Sequence, residues 1–215
     1  MDFVQARNRM VDGQVRTGDV TDLRILGAML ELPRERFVAP DQAAYADRDV
    51  PLRGGTEGRC LLRARTFAKL LQTADIAPAD RVLDVGCGTG YGAAVLSRLA
   101  AAVTALEEDP VLARMAGEAL AAWPNVAVVE GPLTAGWPGS QPYDVIVMEG
   151  AVEVTPRHLF DQLADGGRLV CVEGRGLSGR AMVYRSSGGV VSGRPVFDAA
   201  APLLPGFARP AAFVF

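Results

Sequence analysis

The chain has 215 residues, of which 49% are hydrophobic and 22% are charged. This composition is typical of a globular protein, and the length suffices for one domain with a sizeable core. The formal net charge is −3, whereas nucleic-acid-binding proteins usually carry a basic excess. We therefore expect no nucleic-acid partner.

Cysteine and histidine usage restricts the chemistry further. The three cysteines, Cys60, Cys87 and Cys171, are far apart and form no C-x-x-C pair, so we predict neither a disulfide framework nor a zinc site. The single histidine, His158, excludes a multi-histidine metal site. The chain begins with a polar, charged stretch and contains no apolar run long enough to span a membrane. We therefore expect a cytoplasmic protein with no metal and no membrane contact.

The first third of the chain carries helical patterns interrupted by a stretch rich in glycine and proline. Apolar spacing predicts helices at 3–16, 22–31 and 61–73, and a loop with short extended pieces at 36–58. Asp19 and Thr21 are candidate caps of the second helix.

From residue 81 onward, β-rich runs alternate with helical patterns. The predicted strands are 81–85, 103–106, 126–129, 143–148 and 168–172, and the predicted helices are 91–101, 110–122 and 156–163. Such alternation is typical of parallel β-α-β units, and strands that are apolar throughout are covered on both faces. Two antiparallel strands are predicted at 181–184 and 190–197. The fold class is therefore α/β, with a doubly wound, mostly parallel sheet, a helical N-terminal segment and antiparallel C-terminal strands.

A glycine-rich turn, Gly86-Cys87-Gly88-Thr89-Gly90, joins the first of these strands to the following helix. Glycines in this position permit a tight turn and let a ligand approach the backbone closely. Taken alone, the turn fits NAD, FAD or a nucleotide as well as other ligands.

Two acidic residues at strand ends favour a different ligand. Asp84 lies two residues before Gly86, where a carboxylate would repel the pyrophosphate of a dinucleotide. S-adenosylmethionine has no phosphate, and its ammonium and sulfonium groups are both positive. Glu107 ends the next strand. In dinucleotide-binding folds an acidic residue at a similar spacing binds the ribose hydroxyls, and Glu107 suits the two ribose hydroxyls in the same way. We therefore predict S-adenosylmethionine as the cofactor.

At these residues the chain resembles the class I methyltransferases and, more narrowly, the protein-L-isoaspartate O-methyltransferase family. The resemblance implies a single methyltransferase domain over 1–215, with N-terminal helices and a substrate-side loop at 1–75, a cofactor-binding core at 76–175 and C-terminal strands and tail at 176–215. The segments that carry it, besides the glycine turn, are 10–14, 28–29, 33–38, 44–47, 51–52, 143–147 and 162–170.

The resemblance implies a reaction and a set of cofactor residues. Members of the family transfer a methyl group to the side-chain carboxylate of an isoaspartyl residue in damaged protein, and the ester then closes to a succinimide. A carboxylate is already ionised near neutral pH, so the reaction needs positioning and no general base. The predicted cofactor-binding residues are Asp84, Gly86, Cys87, Gly88, Gly90, Glu107, Glu108, Gly131 and Pro132.

The chain departs from the family in the segment expected to face the substrate. The family has Gly-Gln-Thr-Ile-Ser-Gln-Pro where this chain has 58–64, so Arg59 replaces Gln, Cys60 replaces Thr and Leu62 replaces Ser. The hydroxyls of that Thr and Ser face the substrate carboxylate in the family. Leucine cannot donate a hydrogen bond, and a thiol is a weak donor.

Two further departures lie after later strands. Glu149 stands where the family has Thr, and it would repel a substrate carboxylate unless it is protonated or paired. Arg59, Arg63 or Arg65 could pair with Glu149 or could bind an acidic substrate directly. Pro132 stands where the family has an Asp near the adenine.

Three functions therefore remain open from the sequence. The first is a carboxyl O-methyltransferase that acts on isoaspartyl proteins or peptides. The second is a methyltransferase of the same fold with another acceptor, such as a different carboxylate. The third is a non-catalytic, cofactor-binding or regulatory homologue. Arg59, Cys60, Leu62 and Glu149 are the substrate-site candidates, and no catalytic residue is assigned.

Overall fold

The N-terminal part is a helical layer. In this computed structural model, residues 2–210 are described; α1 spans Phe3–Met10 and continues through a π-helical turn, Val11–Val15, and a short 3-10 turn. The next helix, α2, spans Leu23–Glu31. Its cap is Asp22, whose side chain accepts from the Arg24 backbone N–H. The expected caps Asp19 and Thr21 were wrong, because Asp19 is left-handed (φ 66°) and closes the preceding turn.

The loop predicted at 36–58 begins within a 3-10 turn, Arg34–Phe37, and contains the first strand of a small hairpin. Strand β1, Val50–Pro51, pairs antiparallel with β2, Cys60–Leu61. The following helix, α3, spans Ala64–Ala74 and so begins later than the predicted residue 61, because Cys60 and Leu61 pair with β1.

A seven-stranded sheet follows and confirms the predicted fold class. Its strands are β3 (Arg81–Val85), β4 (Ala102–Glu107), β5 (Val126–Glu130), β6 (Tyr143–Val152), β7 (Leu163–Glu173), β8 (Arg180–Ser187) and β9 (Val190–Asp198). Their order is β5-β4-β3-β6-β7-β8-β9. Pairings from β5 to β7 are parallel, whereas β8 is antiparallel to both of its neighbours.

Three helices connect these strands. They are α4 (Tyr91–Leu96), α5 (Pro110–Leu120) and α6 (Arg157–Phe160). Helix α4 is shorter than predicted because the N–H groups of Arg98 and Leu99 donate to carbonyls three residues earlier instead of four, which ends the α-helix. Helix α6 is shorter than predicted because β7 already begins at Leu163.

The strand order places a crevice at the middle of the sheet. From β3 the chain moves outward to β4 and β5, then returns to the other side of β3 as β6. Open α/β sheets bind ligands at such a reversal, outside the carboxyl ends of the strands. The glycine turn after β3 and the residues that end β4 and β6 therefore lie at the expected position of a ligand site.

Side chains alternate between the two faces of the sheet and build two cores. Val82 and Val147 belong to the larger core, which also contains buried residues of α1–α5, whereas Leu83 and Met148 belong to the smaller core beneath α6 and the C-terminal segment. By the same alternation, Asp84 lies on the face of Val82.

Arg34 ties the N-terminal layer to the hairpin. It is fully buried, its Nε donates to the Ala44 carbonyl at 2.8 Å, and its Nη2 donates to the Leu62 carbonyl at 2.5 Å. Its guanidinium lies over the Tyr91 ring, with Cζ 4.8 Å from the centroid. Phe67 of α3 packs on the same ring, with centroids 6.0 Å apart.

We expect Phe67→Ala to lower the free energy of unfolding by about 3–5 kcal/mol, because the side chain is 1% exposed and its removal leaves a cavity. Phe3→Ala is the matched control, since Phe3 is 43% exposed, and it should cost less than about 1 kcal/mol. Urea denaturation measures both. Equal costs for the two variants would contradict this account of the core.

Candidate cofactor and acceptor site

The turn between β3 and α4 has the geometry of a ligand cradle. Gly86, Gly88 and Gly90 have φ values of 82°, 57° and 95°, in the left-handed region that favours glycine. The backbone N–H groups of Gly86 and Cys87 donate to the Leu106 carbonyl at 2.8 and 3.1 Å. The turn is therefore anchored to the end of β4, beside Glu107.

Glu107 is held by four donors. Its Oε2 accepts from the Gly88 N–H at 2.7 Å and from Arg59 Nη2 at 2.5 Å. Its Oε1 accepts from the N–H groups of Glu108 and Asp109 at 3.0 and 3.1 Å. The Arg59 and Glu107 side chains are 3% and 0% exposed. The predicted ribose-binding carboxylate thus forms a buried ion pair with a predicted substrate-site residue.

Arg59 ends the segment 52–59, which joins the two strands of the hairpin and crosses the glycine turn. Asp109 anchors this segment, accepting from the Thr56 N–H at 2.5 Å and from its hydroxyl at 2.6 Å. A Cβ built on Gly88 would lie 2.6 Å from Leu52 Cδ1, and one built on Gly86 would lie 3.2 Å from Arg59 Nη2. Both ends of the segment therefore contact the cradle.

The C-terminal segment also reaches the cradle. Ala151, near the end of β6, donates to the Pro202 carbonyl at 2.7 Å and accepts from the Leu204 N–H at 2.9 Å. Leu204 is 1% exposed, and its Cδ2 would lie 2.9 Å from a Cβ on Gly86. The glycine turn is thus covered from one side by Arg59 and from another by Leu204.

Two carboxyl groups that belong to neighbouring strands lie beside the turn. Asp84 and Glu149 are 0% and 3% exposed and sit on adjacent strands. Among the described residues, both Asp84 oxygens and Glu149 Oε1 lack a hydrogen-bond partner. Glu149 fills space left by Gly92 in α4, since a Cβ there would lie 1.5 Å from Glu149 Oε1.

Burial governs the ionisation of this pair. It raises the pKa of Asp84 to about 7; the Glu107 charge adds to the rise, whereas interactions with Glu149 and Arg59 oppose it. Burial and the charge of Asp84 raise the pKa of Glu149 well above its usual range, although Arg59 and Arg34 oppose this. Burial therefore favours the neutral, protonated form of Glu149 over a second negative charge beside Asp84.

The other end of the predicted cofactor site lies beyond β5. Gly131 donates its N–H to the Glu107 carbonyl at 3.0 Å, and Glu108 accepts from the Leu133 N–H at 3.2 Å. Pro132 precedes the 3-10 turn that contains Leu133. Glu108, Gly131 and Pro132 therefore lie together on the β4 and β5 side of the glycine turn.

Three predicted site residues take different positions. Cys87 belongs to the turn, but its side chain is buried in the larger core, with Sγ 3.9 Å from the Gly88 carbonyl. Leu62 is 1% exposed and belongs to the same core. Cys60 is half-buried, with its Sγ 3.7 Å from the Gly58 carbonyl. Of the substitutions at the two family hydroxyl positions, only that at Cys60 leaves a partly accessible side chain.

Sequence reasoning missed Thr56, Asp109 and Leu204 as parts of this site. The Asp109-Pro110 pair is a helix-start signal, and Asp109 does cap α5. Its second role, holding Thr56, depends on a contact between distant parts of the chain and has no local signature. Leu204 lies in a tail that carries little pattern.

The residues present fit S-adenosylmethionine. Asp84 is a buried carboxylate without a hydrogen-bond partner in the described chain, which a cationic ligand would satisfy. The glycine turn allows close approach, and Glu107 offers acceptor oxygens suited to ribose hydroxyls. Within residues 2–210, no three His, Cys, Asp or Glu side chains cluster as metal ligands would.

Comparison with known proteins shows the family to which the chain belongs. The family described as protein-L-isoaspartate(D-aspartate) O-methyltransferase matches residues 5–196. The chain belongs to this family. A protein-L-isoaspartate O-methyltransferase of Koribacter versatilis is 42% identical over 174 residues, 78% of this chain and 76% of the relative. One of Methanoregula boonei is 42% identical over 180 residues, 82% of this chain and 80% of the relative.

Solved structures of the family agree on the fold. One protein-L-isoaspartate O-methyltransferase gives a TM-score of 0.82 at 26% identity, over 93% of this chain and 66% of that chain. A Plasmodium falciparum structure, solved in complex with S-adenosyl-L-homocysteine, gives 0.79 at 18% identity, over 92% of this chain and 97% of that chain.

Family membership confirms the main sequence predictions. The chain is an S-adenosylmethionine-dependent methyltransferase of the protein-L-isoaspartate O-methyltransferase family, and S-adenosylmethionine is its cofactor. The assignment of individual residues to the cofactor and the acceptor stays a prediction. No helix in the described part of this methyltransferase is long and apolar enough to cross a membrane.

The Asp84 carboxyl predicts a pH dependence of stability. Its pKa rises from 3.8 to about 7 on folding, so the folded chain binds more protons than the unfolded chain between these values. The free energy of unfolding should therefore fall as pH rises from about 4 to about 7. Asp84→Asn should reduce this slope in urea denaturation. Asp161→Asn, at an exposed position, should keep it, and identical slopes for Asp84→Asn and the parent would refute the assignment.

Proposed function

We propose that this methyltransferase acts on the side-chain carboxylate of isoaspartyl residues in proteins or peptides. The observation that carries the proposal is the match to the family over 5–196, which spans the glycine turn, both strand-end acids and the segment 52–59. We propose the cytoplasm as its compartment. The free thiols of Cys60, Cys87 and Cys171 are in keeping with that.

The reaction joins an acceptor oxygen to the methyl carbon as the carbon–sulfur bond breaks. When bound, S-adenosylmethionine supplies the methyl group on a positively charged sulfur. Because the acceptor carboxylate is already ionised, this chain has no proton to remove. Its residues contribute binding and orientation, which can supply much of the rate enhancement in a two-reactant step.

Each acid of the site has a separate role in this proposal. Asp84 attracts the positive charge of the cofactor, and Glu107 accepts from the ribose hydroxyls. Burial and Asp84 raise the pKa of Glu149, which favours its neutral form and reduces its repulsion of the acceptor carboxylate. The replacement of the family Thr by Glu149 is thus compatible with an anionic acceptor.

Methyl transfer from radiolabelled S-adenosylmethionine tests the proposal. We expect base-labile label on an isoaspartyl peptide and none on the matched aspartyl peptide. The parent should be compared with Asp84→Ala, which removes the proposed cation partner and should weaken cofactor binding by about tenfold or more.

The same assay has a clear negative result. If calorimetry shows that the parent binds S-adenosylhomocysteine but no label reaches the isoaspartyl peptide, another acceptor is methylated and the proposed substrate is wrong.

The missing hydroxyls predict opposite effects at Cys60 and Leu62. Cys60→Thr places a better donor at a half-buried position and should raise kcat/KM for an isoaspartyl peptide several-fold. Leu62→Ser places a hydroxyl in the apolar core and should lower stability by about 2–5 kcal/mol. Steady-state kinetics and urea denaturation separate the two outcomes. A stable, more active Leu62→Ser would show that Leu62 faces the acceptor instead.

A further inference from the structure

In the Arg59–Glu107 ion pair, Arg59 is bound to the carboxylate that is proposed to bind the cofactor ribose. Arg59 Nη2 and Glu107 Oε2 are 2.5 Å apart and both side chains are buried. The ribose hydroxyls would need acceptor oxygens of the same carboxylate. Glu107 cannot serve all these donors at once, because its two oxygens already accept three backbone N–H groups besides Arg59. Cofactor binding should therefore displace Arg59.

A displaced Arg59 needs another anion. Its Nε already lacks a partner among the described residues, and a buried guanidinium without an anion is strongly unfavourable. Glu149 offers little compensation, because burial and Asp84 raise its pKa and so favour its neutral form. The acceptor carboxylate is the anion that the reaction itself brings, and a guanidinium can bind a carboxylate through two parallel hydrogen bonds.

The position of Arg59 suits this second role. It is adjacent to Cys60, at the edge of β2, and its guanidinium contacts the glycine turn. Its positive charge also opposes the rise in the pKa values of Asp84, Glu149 and Cys87. An arginine in this place can supply the donors that Cys60 and Leu62 do not.

We propose that Arg59 is the residue that binds the acceptor carboxylate. Before the cofactor binds, Arg59 is paired with Glu107, and the cofactor ribose releases Arg59 by binding to Glu107. The cofactor then binds first and the carboxylate second. This inference rests on the proposed function for the identity of the acceptor.

Cofactor binding without turnover tests the first half. Calorimetric titration with S-adenosylhomocysteine should show about tenfold tighter binding to Arg59→Gln than to the parent, because the competitor for Glu107 is neutralised. Glu107 keeps its three backbone donors in this variant, so we expect it to fold. Arg53→Gln is the matched control in the same segment, since Arg53 is 62% exposed, and it should leave the affinity unchanged. Equal or weaker binding by Arg59→Gln would overturn the competition.

Binding of the acceptor tests the second half, first in the parent and then in Arg59→Gln. An isoaspartyl peptide should bind about tenfold tighter with saturating S-adenosylhomocysteine than without it. In Arg59→Gln this difference should disappear, and KM for the peptide should rise more than kcat falls. Equal peptide affinities with and without S-adenosylhomocysteine would contradict the release of Arg59 by the cofactor.

Failure of the proposed role of Arg59 can be distinguished from failure of the proposed function. Methyl transfer to the isoaspartyl peptide with the same KM in the parent and in Arg59→Gln would reject Arg59 as the acceptor-binding residue and leave the proposed function intact. No peptide binding or methyl transfer in the parent, with tighter S-adenosylhomocysteine binding by Arg59→Gln, would reject the proposed acceptor and retain the competition for Glu107.

Discussion

The balance of buried charge around Arg59 is the constraint on which this site depends. Asp84, Glu107 and Glu149 are all buried at one end of the sheet. Arg59 pairs with Glu107 and is a cation that acts on both Asp84 and Glu149. Buried charges are tolerated only when they are paired or neutralised. Glu107 is satisfied by Arg59 and by backbone donors, the raised pKa of Glu149 favours its neutral form, and Asp84 is left with a pKa near neutrality. Under the proposed function, a cationic cofactor would compensate the charge of Asp84.

The topology of the sheet brings these groups together. The strand order reverses around β3, so the ends of β4 and β6 flank the glycine turn. Helix α4 crosses this point with Gly92 rather than a larger residue, which leaves room for the Glu149 carboxyl. A Glu at 149 and a Gly at 92 are therefore one structural feature, and a side chain at either position limits what the other can be.

Local pattern was enough to predict that Asp84, the glycine turn and Glu107 lie at the carboxyl edge of the sheet. Asp84 and Glu107 lie at or near the ends of their strands, and the turn follows the first of these strands. It also predicted the alternation of strands and helices. The ion pair between Arg59 and Glu107 was not predictable, since it joins a hairpin to a strand end through the path of the whole chain. The expectation that Leu62 faces the acceptor came from the resemblance alone, whereas its burial in the core follows from its apolar side chain.

The two coverings of the glycine turn come from opposite ends of the sequence, and this limits how a cofactor can enter. Arg59 is attached to the hairpin and to Asp109 through Thr56, whereas Leu204 is attached to β6 through Ala151. Displacing Arg59 breaks a buried ion pair that a ribose can replace with hydrogen bonds. Leu204 covers the turn with apolar surface, and moving it away would expose a side chain that is 1% exposed. Arg59 is thus the covering that has a direct competitor in the proposed cofactor site, because the ribose would need the same carboxylate.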